Sequence, residues 1–407
     1  MSHTALLVVM LALAAVGLIS RRIEGSSLTG PMLFTLLGFA IGPAALGLID
    51  MPVTHGAIHL LAEVTLILVL FSDAASINLR ELRRSLTLPL RLLLIGMPLT
   101  ILLGTIAARF VLPLQWFEAA LLAAILAPTD AALGQAVVSD KRVPLRVRQA
   151  LSVESGLNDG IALPLVLVFA GLASTMHGHG SHAETAQAGF ALFTAKQIVL
   201  GPIAGLAVGA AGGWLVALSH RHQWMSETAE GMIALGLAFG AFAFAESIGG
   251  NGFIAAFVAG ICFGNSLKFR CRFLYEFAEG EGQILTLLTF GAFGSTMLAE
   301  GAGALSVAVV LMAVLALTVV RIVPVGIATL GTGLSTSTVL FLGWFGPRGL
   351  ASVLFVLLIL EEMTLPGEEI IYVTVISAVA LSIFGHGISA GPAARAYGDA
   401  VADGSTA

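Results

Sequence analysis

Long apolar runs separated by short polar loops follow one another along almost the whole chain. Most are near 20 residues long, which is the length of a helix that crosses about 30 Å of hydrocarbon. The pattern predicts an all-α polytopic membrane protein with about 13 transmembrane helices, and it excludes a barrel of short alternating strands. The predicted spans are residues 4–20, 28–48, 57–79, 86–111, 115–138, 147–173, 192–218, 227–249, 251–267, 282–299, 303–322, 336–360 and 368–391.

Composition supports a membrane protein with little soluble mass. Of the 407 residues, 57% are hydrophobic and 11% are charged, whereas a soluble domain carries roughly 25% charged residues. Arg21 and Arg22 follow the first apolar run instead of preceding it, so we expect an uncleaved first span and no signal peptide.

The distribution of basic residues predicts the orientation. If the N-terminus lies outside, most of the 19 Lys and Arg residues fall in inner loops or at inner helix ends, as the positive-inside rule requires. This bias favours an odd number of spans in the inner (plasma) membrane. Residues 392–407 are then expected to form a short cytoplasmic tail.

A polar motif interrupts span five. Pro128, Thr129 and Asp130 lie in the middle of an apolar run. Proline removes a backbone donor and frees carbonyl groups, and interrupted helices in transporters use such carbonyls and helix ends to bind ions. The motif therefore predicts a cation site. An ordinary proline kink with Asp130 as a local helix cap remains the alternative.

Span six carries a second polar motif, Glu154-Ser155-Gly156-Leu157-Asn158-Asp159. At 100° per residue, Ser155 and Asp159 share one helix face, and Glu154 and Asn158 share another. Carboxylate and hydroxyl oxygens suit a hard cation such as Na⁺, and a carboxylate desolvated at this depth can exchange a proton for a cation. A buried polar network without a transport role is the alternative.

An arginine is predicted inside the membrane in span eleven. Arg321 needs an anionic partner there, since an unpaired charge is costly at this depth. Glu154 is the candidate, because Asp130 and Asp159 are assigned to the ion. The alternative is an arginine whose long side chain reaches the inner boundary of the membrane.

Span twelve contains a second interruption, at Gly346, Pro347 and Arg348. Spans five and twelve are seven spans apart, and an odd offset inverts orientation. Spans 1–6 and 8–13 are therefore predicted to be inverted repeats with two discontinuous helices that cross. Two unrelated kinks are the alternative.

These motifs resemble those of the NhaP-type sodium/proton antiporters, in the monovalent cation:proton antiporter superfamily. The resemblance rests on PTD at 128–130, ESxLND at 154–159 and GPRG at 346–349, and it covers essentially the whole chain. Two positions depart from the family pattern. Ala131 stands where a proline often follows the TD, and Gly156 replaces a bulkier residue, so the site is expected to be looser and its ion preference shifted.

The resemblance implies a set of ion-binding residues. Asp159 would be the carboxylate that cation and proton share, and Asp130, Ser155 and the Thr129 backbone would complete the Na⁺ site. Glu154, paired with Arg321 and Asn158, would hold the interrupted region in place.

The resemblance also implies a homodimer with two kinds of region. Core ion-transport helices 4–6 and 11–13 would lie in residues 81–173 and 300–391. They would move against dimerisation helices 1–3 and 8–10, in residues 1–80 and 227–299, with a linker loop and helix 7 in residues 174–226.

The function implied is secondary active exchange of Na⁺, or else Li⁺ or K⁺, for H⁺, in sodium transport and pH homeostasis. No cofactor, nucleic acid or enzymatic activity is expected. Asn158 replaces the first carboxylate of an Asp-Asp pair found in electrogenic relatives, and no Lys lies in a predicted core span, so we expect electroneutral 1:1 exchange. The alternative function is a sodium-coupled organic solute symporter of similar inverted-repeat fold.

Overall fold

The computed structural model describes residues 3–23, 28–48, 55–77, 87–175, 183–226, 229–266, 281–362 and 365–402. Within these ranges the regular structure is helical and no strand occurs. We number the helices by the predicted spans, with a and b for the halves of an interrupted one. They are α1 (His3–Leu18), α2 (Gly30–Ile41), α3 (His55–Ser76), α4 (Thr87–Val111), α5a (Trp116–Ile125), α5b (Ala131–Val138), α6 (Leu145–Thr175), α7 (Ala183–Arg221), α8 (Ala229–Ser247), α9 (Gly252–Ser266), α10a (Glu281–Ser295), α10b (Met297–Gly303), α11a (Val307–Leu317), α11b (Val319–Ala328), α12a (Thr336–Trp344), α12b (Leu350–Glu362) and α13 (Glu368–Ala402).

The helical fold and the order of the spans are confirmed. In the part of the chain that the structure describes, six helical segments are long and apolar enough to cross a membrane, and others are shorter apolar helices of 10–17 residues. The six are Thr87–Val111, Leu145–Ser174, Ala195–Arg221, Gly282–Gly301, Val307–Ala328 and Glu368–Val401.

Interruptions occur where the prolines and glycines of spans five and twelve predicted them, and also elsewhere. Helix α10 breaks at Thr296 and α11 at Thr318, and the hydroxyls of these threonines donate to the carbonyls of Ala292 and Val314 one turn earlier. A hydroxyl bonded to this carbonyl bends a helix. In α4 a single π-helical turn spans Leu92–Gly96.

One compact unit of the chain comprises Met1–Ala62, Thr87–Asn158 and Thr286–Ala407. In this unit α13 is longer than expected, because the predicted tail from residue 392 continues as helix to Ala402. Tyr397 lies on this added segment and is buried. Its ring stacks on Phe341, with 4.3 Å between centroids, and its hydroxyl lies 2.9 Å from the Thr338 hydroxyl. Packing against α12a therefore keeps the segment helical.

The other compact unit comprises Glu63–Leu86 and Asp159–Leu285. Here glycines spaced four residues apart on α7 pack directly against the backbone of α9. A Cβ on Gly201 would lie 2.9 Å from the carbonyl oxygen of Asn251, and one on Gly205 would collide with that of Ala255. Such rows let two helices in a membrane approach closely. The predicted division into core and dimerisation regions stays a prediction.

Candidate functional site

The interruption of helix α5 is built by its own sequence. Helix α5a ends at Ile125, and residues 127–130 are not helical. Asp130 has extended backbone angles, and its Oδ1 accepts a hydrogen bond of 2.9 Å from the backbone N–H of Leu133. Asp130 is therefore the N-cap of α5b, a position that aspartate favours because its carboxylate satisfies a free helix N–H.

The interruption of helix α12 has the same form. Helix α12a ends at Trp344, and α12b begins at Leu350 after a non-helical stretch. The carbonyl oxygen of Trp344 accepts from the N–H of Gly346, 2.8 Å away. Proline at 347 then prevents the helix from resuming at once.

The two interruptions satisfy each other. The Oδ2 atom of Asp130 accepts from the N–H of Leu350, 2.9 Å away, so one carboxylate caps both α5b and α12b. In return, Nη1 of Arg348 donates to the carbonyls of Ala127 and Pro128, the latter at 2.8 Å. The backbone N–H of Asp130 also donates to Pro347. Each charge thus stabilises the helix ends of opposite polarity.

Glycines permit this crossing. A Cβ on Gly349 would collide with the carboxylate of Asp130, and one on Gly346 would lie 2.6 Å from Nε of Arg321 and 3.1 Å from Cγ2 of Thr129. No larger residue fits at either position without displacing a polar group of the site.

A cluster of small polar groups joins the α5 interruption to α6. The hydroxyl oxygens of Thr129 and Ser155 are 2.9 Å apart, and Nδ2 of Asn158 donates to Oγ1 of Thr129 over 2.6 Å. Thr129 and Asn158 are both buried. The amide oxygen of Asn158 is buried without a hydrogen-bond partner among the described residues. The cluster therefore concentrates oxygen atoms beside the interrupted helix.

The predicted pairing of Arg321 with Glu154 is confirmed. The guanidinium donates to both carboxylate oxygens, at 2.5 and 2.8 Å, and the side chains are 2% and 3% exposed. The alternative, in which the side chain of Arg321 reaches the membrane boundary, is wrong. Asn158, expected to take part in this pair, instead donates to Thr129.

Asp159 lies one turn beyond Ser155 on the uninterrupted helix α6, and its side chain is partly exposed. In the division of the chain by packing it is the first residue of the second compact unit. Its assignment as the ion-binding carboxylate, and the Na⁺ site as a whole, stay predictions.

Similarity to known proteins identifies the family of the chain. The family model described as "Sodium/hydrogen exchanger, transmembrane" matches residues 7–396. The chain belongs to this exchanger family. The chain is 25% identical over 388 residues to the K⁺/H⁺ antiporter NhaP of Alkalimonas amylolytica, covering 93% of this chain but 63% of that relative's length. It is 28% identical over 259 residues to an uncharacterized Na⁺/H⁺ exchanger of Mycobacterium tuberculosis, covering 63% of this chain and 44% of the relative.

The chain has the same fold as a solved antiporter structure. The structure of the sodium proton antiporter MjNhaP1 from Methanocaldococcus jannaschii at pH 8 superposes with a TM-score of 0.75 at 19% identity, covering 96% of this chain and 97% of the other. An electron-microscopy map of MjNhaP1 gives 0.77 at 18% identity, covering 97% and 98%.

Sequence reasoning missed a group of residues on α13 that hold the two ends of the α12 interruption. Ser382, His386 and Ser389 lie at intervals of four and three residues on α13, hence on one face, and each contacts Trp344 or Arg348. Polar residues at this spacing in an apolar helix were the available signal. Several of the Lys and Arg residues assigned to inner loops lie outside the described residues, namely Arg80, Arg83, Arg84, Lys268, Arg270 and Arg272. The histidines His177, His179 and His182 of the predicted loop before α7 also lie outside them.

Proposed function

We propose that this chain is a secondary active antiporter that exchanges a monovalent cation for H⁺ by alternating access. The observation that carries the proposal is the crossing of the two interrupted helices next to the Thr129, Ser155 and Asn158 cluster. Interrupted helices with free carbonyls and oxygen-bearing side chains are how transporters of this kind hold small cations. Membership of the exchanger family supports the same reaction.

Asp159 is proposed as the carboxylate that binds the proton and the cation in turn. Glu154 is engaged by both nitrogens of a guanidinium, and Asp130 gives one oxygen to each of two helix N-termini. Both carboxylates therefore hold the fold. Asp159 lies one turn from Ser155 on the same helix, and its side chain is partly buried. Ser155, Thr129 and Asp130 are proposed to complete the coordination.

Exchange is proposed to be electroneutral, with one H⁺ for one cation. The charges of Asp130 and Glu154 are balanced by those of Arg321 and Arg348, all four of which are buried. The Asp159 carboxylate then binds either one proton or one monovalent cation. Both loaded forms therefore have the same net charge. We expect the rate of exchange not to respond to an imposed membrane potential. A clear response would refute this stoichiometry.

Na⁺ is the first candidate cation and K⁺ the second. The solved structures are of a sodium proton antiporter, whereas several curated relatives are named as K⁺/H⁺ antiporters. None of the proteins compared above is named as a solute symporter. We further propose a homodimer in the inner membrane, with the N-terminus outside and the C-terminus in the cytoplasm.

The test is cation-driven collapse of a pH gradient in proteoliposomes, with Na⁺, Li⁺, K⁺ and choline compared. We expect one or more alkali cations, but not choline, to collapse the gradient. Asp159→Asn should abolish the response, because the asparagine amide cannot take up and release a proton as a carboxylate can. The matched control is Asp399→Asn, the same change at an exposed aspartate of α13.

Two results would count against the proposal. A folded Asp159→Asn protein that retains exchange would remove Asp159 from its role. If no cation collapses the pH gradient with the wild-type protein, yet the protein takes up an organic solute together with Na⁺, the result would favour the symporter instead.

A further inference from the structure

One face of helix α13 holds both ends of the α12 interruption. Ser382 Oγ accepts from the backbone N–H of Arg348 at 2.7 Å, on the α12b side. His386 Nε2 lies 2.9 Å from the carbonyl oxygen of Trp344, where α12a ends. Ser389 Oγ accepts from the indole N–H of Trp344 at 2.9 Å. Helix α13 therefore fixes the distance between the two ends of the interruption.

The hydrogen bond to Trp344 places a proton on Nε2 of His386, because a carbonyl oxygen can only accept. Nδ1 lies 3.0 Å from Ser382 Oγ and 3.2 Å from the Ser382 carbonyl oxygen. In the neutral ring Nδ1 accepts from the Ser382 hydroxyl, which also accepts from the Arg348 N–H. The series runs in one direction, from the Arg348 N–H through Ser382 and the imidazole to Trp344.

At its Arg348 end, this series reaches the proposed cation-binding region. The backbone of Arg348 is held by Ser382, and its guanidinium in turn holds the carbonyls of Ala127 and Pro128. These carbonyls directly precede Thr129 in the chain. A shift in the α12 interruption is therefore transmitted to the oxygens of the α5 interruption.

We propose that His386 is a positioning residue for cation exchange, which holds the two interrupted helices at the spacing that binds the cation. The proposal rests on the antiporter function proposed above. His386 acts through Trp344, which it contacts directly, and through Arg348, which it reaches by way of Ser382. Loss of its Nε2 donor should weaken cation binding and leave the exchange cycle itself in place.

Two substitutions separate the donor from the bulk of the ring. His386→Gln places its amide nitrogen near the position of Nε2 and can still donate to Trp344. His386→Asn is shorter and places its amide near Nδ1, so the Trp344 carbonyl loses this donor. The matched control is Ser377→Ala on the same helix, where the hydroxyl bonds only the Val373 carbonyl among its described contacts.

The experiment measures initial rates of exchange against cation concentration in proteoliposomes. For His386→Asn we expect the apparent KM to rise at least about fivefold, which the loss of one buried hydrogen bond can supply. Its maximal rate should stay within about twofold of wild type. His386→Gln and Ser377→Ala should match wild type in both constants. Equal kinetics for the asparagine and glutamine variants, whether normal or impaired, would overturn the role of His386.

A second measurement separates this proposal from the proposed function. A bound cation raises the Tm of the purified protein by an amount that grows with the logarithm of its concentration above Kd, and the same rise in Tm should need about fivefold more cation for His386→Asn. A wild-type protein with neither exchange nor a rise in Tm would overturn the antiporter function. A wild-type rise shared unchanged by His386→Asn would overturn the positioning role alone.

Discussion

Removing one partner of the buried ion pair between Glu154 and Arg321 should destabilise the protein strongly. Both side chains are almost completely buried, and the guanidinium donates to both carboxylate oxygens at 2.5 and 2.8 Å. Arg321→Ala leaves a carboxylate in a low-dielectric interior without its counter-charge and without two of its hydrogen bonds. The interior then has to bear the desolvation cost of that charge.

The size of the effect can be worked out from this geometry. Breaking a buried pair by removing one member costs about 3–5 kcal/mol. An unfolding entropy of about 2.1 cal/mol/K per residue over 407 residues gives roughly 0.85 kcal/mol/K. The expected fall in Tm is therefore about 4–6 °C. Helices that persist in the detergent-unfolded state lower the entropy, so this fall is a minimum.

The assay is thermal unfolding of the purified protein in detergent, with all variants heated at the same rate because unfolding of such proteins is often irreversible. The double variant Glu154→Gln with Arg321→Met removes both charges, and it should be more stable than Arg321→Ala alone. In the variants that stay folded, the change in the free energy of cation binding should be smaller than the change in the free energy of unfolding. An Arg321→Ala protein with an unchanged Tm would refute the reasoning.

Two further predictions concern stability. Gly349→Ala should lower the Tm, because the added Cβ collides with the Asp130 carboxylate and overpacking of this kind costs about 1–3 kcal/mol. Gly385→Ala, whose added Cβ has no atom within 4 Å, is the control. Equal Tm values for the two variants would contradict the prediction. In the loop after α5b, the hydrogen bond from the Arg142 guanidinium lowers the pKa of Asp140. A carboxyl with a lowered folded-state pKa stabilises the fold above its unfolded pKa, about 3.9, and loses this effect as pH falls through the folded value. The difference in Tm between wild type and Asp140→Asn should thus be constant from pH 7 to pH 5 and shrink below about pH 4; a difference that persists at lower pH would argue against the pairing.

The energetic cost of an unpaired charge inside the membrane made the ion pair of the site predictable. An arginine inside the membrane requires an anion, and Glu154 was the motif carboxylate not assigned to the ion, so its pairing with Arg321 followed from the sequence. Proline and glycine at 128 and 346–347 likewise predicted both interruptions, because proline lacks the N–H that a helix needs.

Other features depend on contacts between distant segments. The capping of α12b by Asp130 joins residues 220 positions apart, and no local pattern indicates which helix end a carboxylate will reach. Ser382, His386 and Ser389 form a polar face on α13, but no local pattern indicates that this face meets Trp344. The helical end of α13 was missed because residues 392–402 are small and polar, whereas the burial of Tyr397 decides their structure.

The reciprocal capping of the two interruptions has a consequence for biosynthesis. Asp130 and Arg348 complete helix ends that are about 220 residues apart in the chain. At a synthesis rate of about 5–20 residues per second, the α5 interruption exists for roughly 10–45 s before the α12 segment has been made. Backbone groups cannot remain unsatisfied in lipid for that time. The segment around the α5 interruption must therefore stay in contact with water or with the insertion machinery, and it reaches its final depth in the membrane only after the α12 segment has been made.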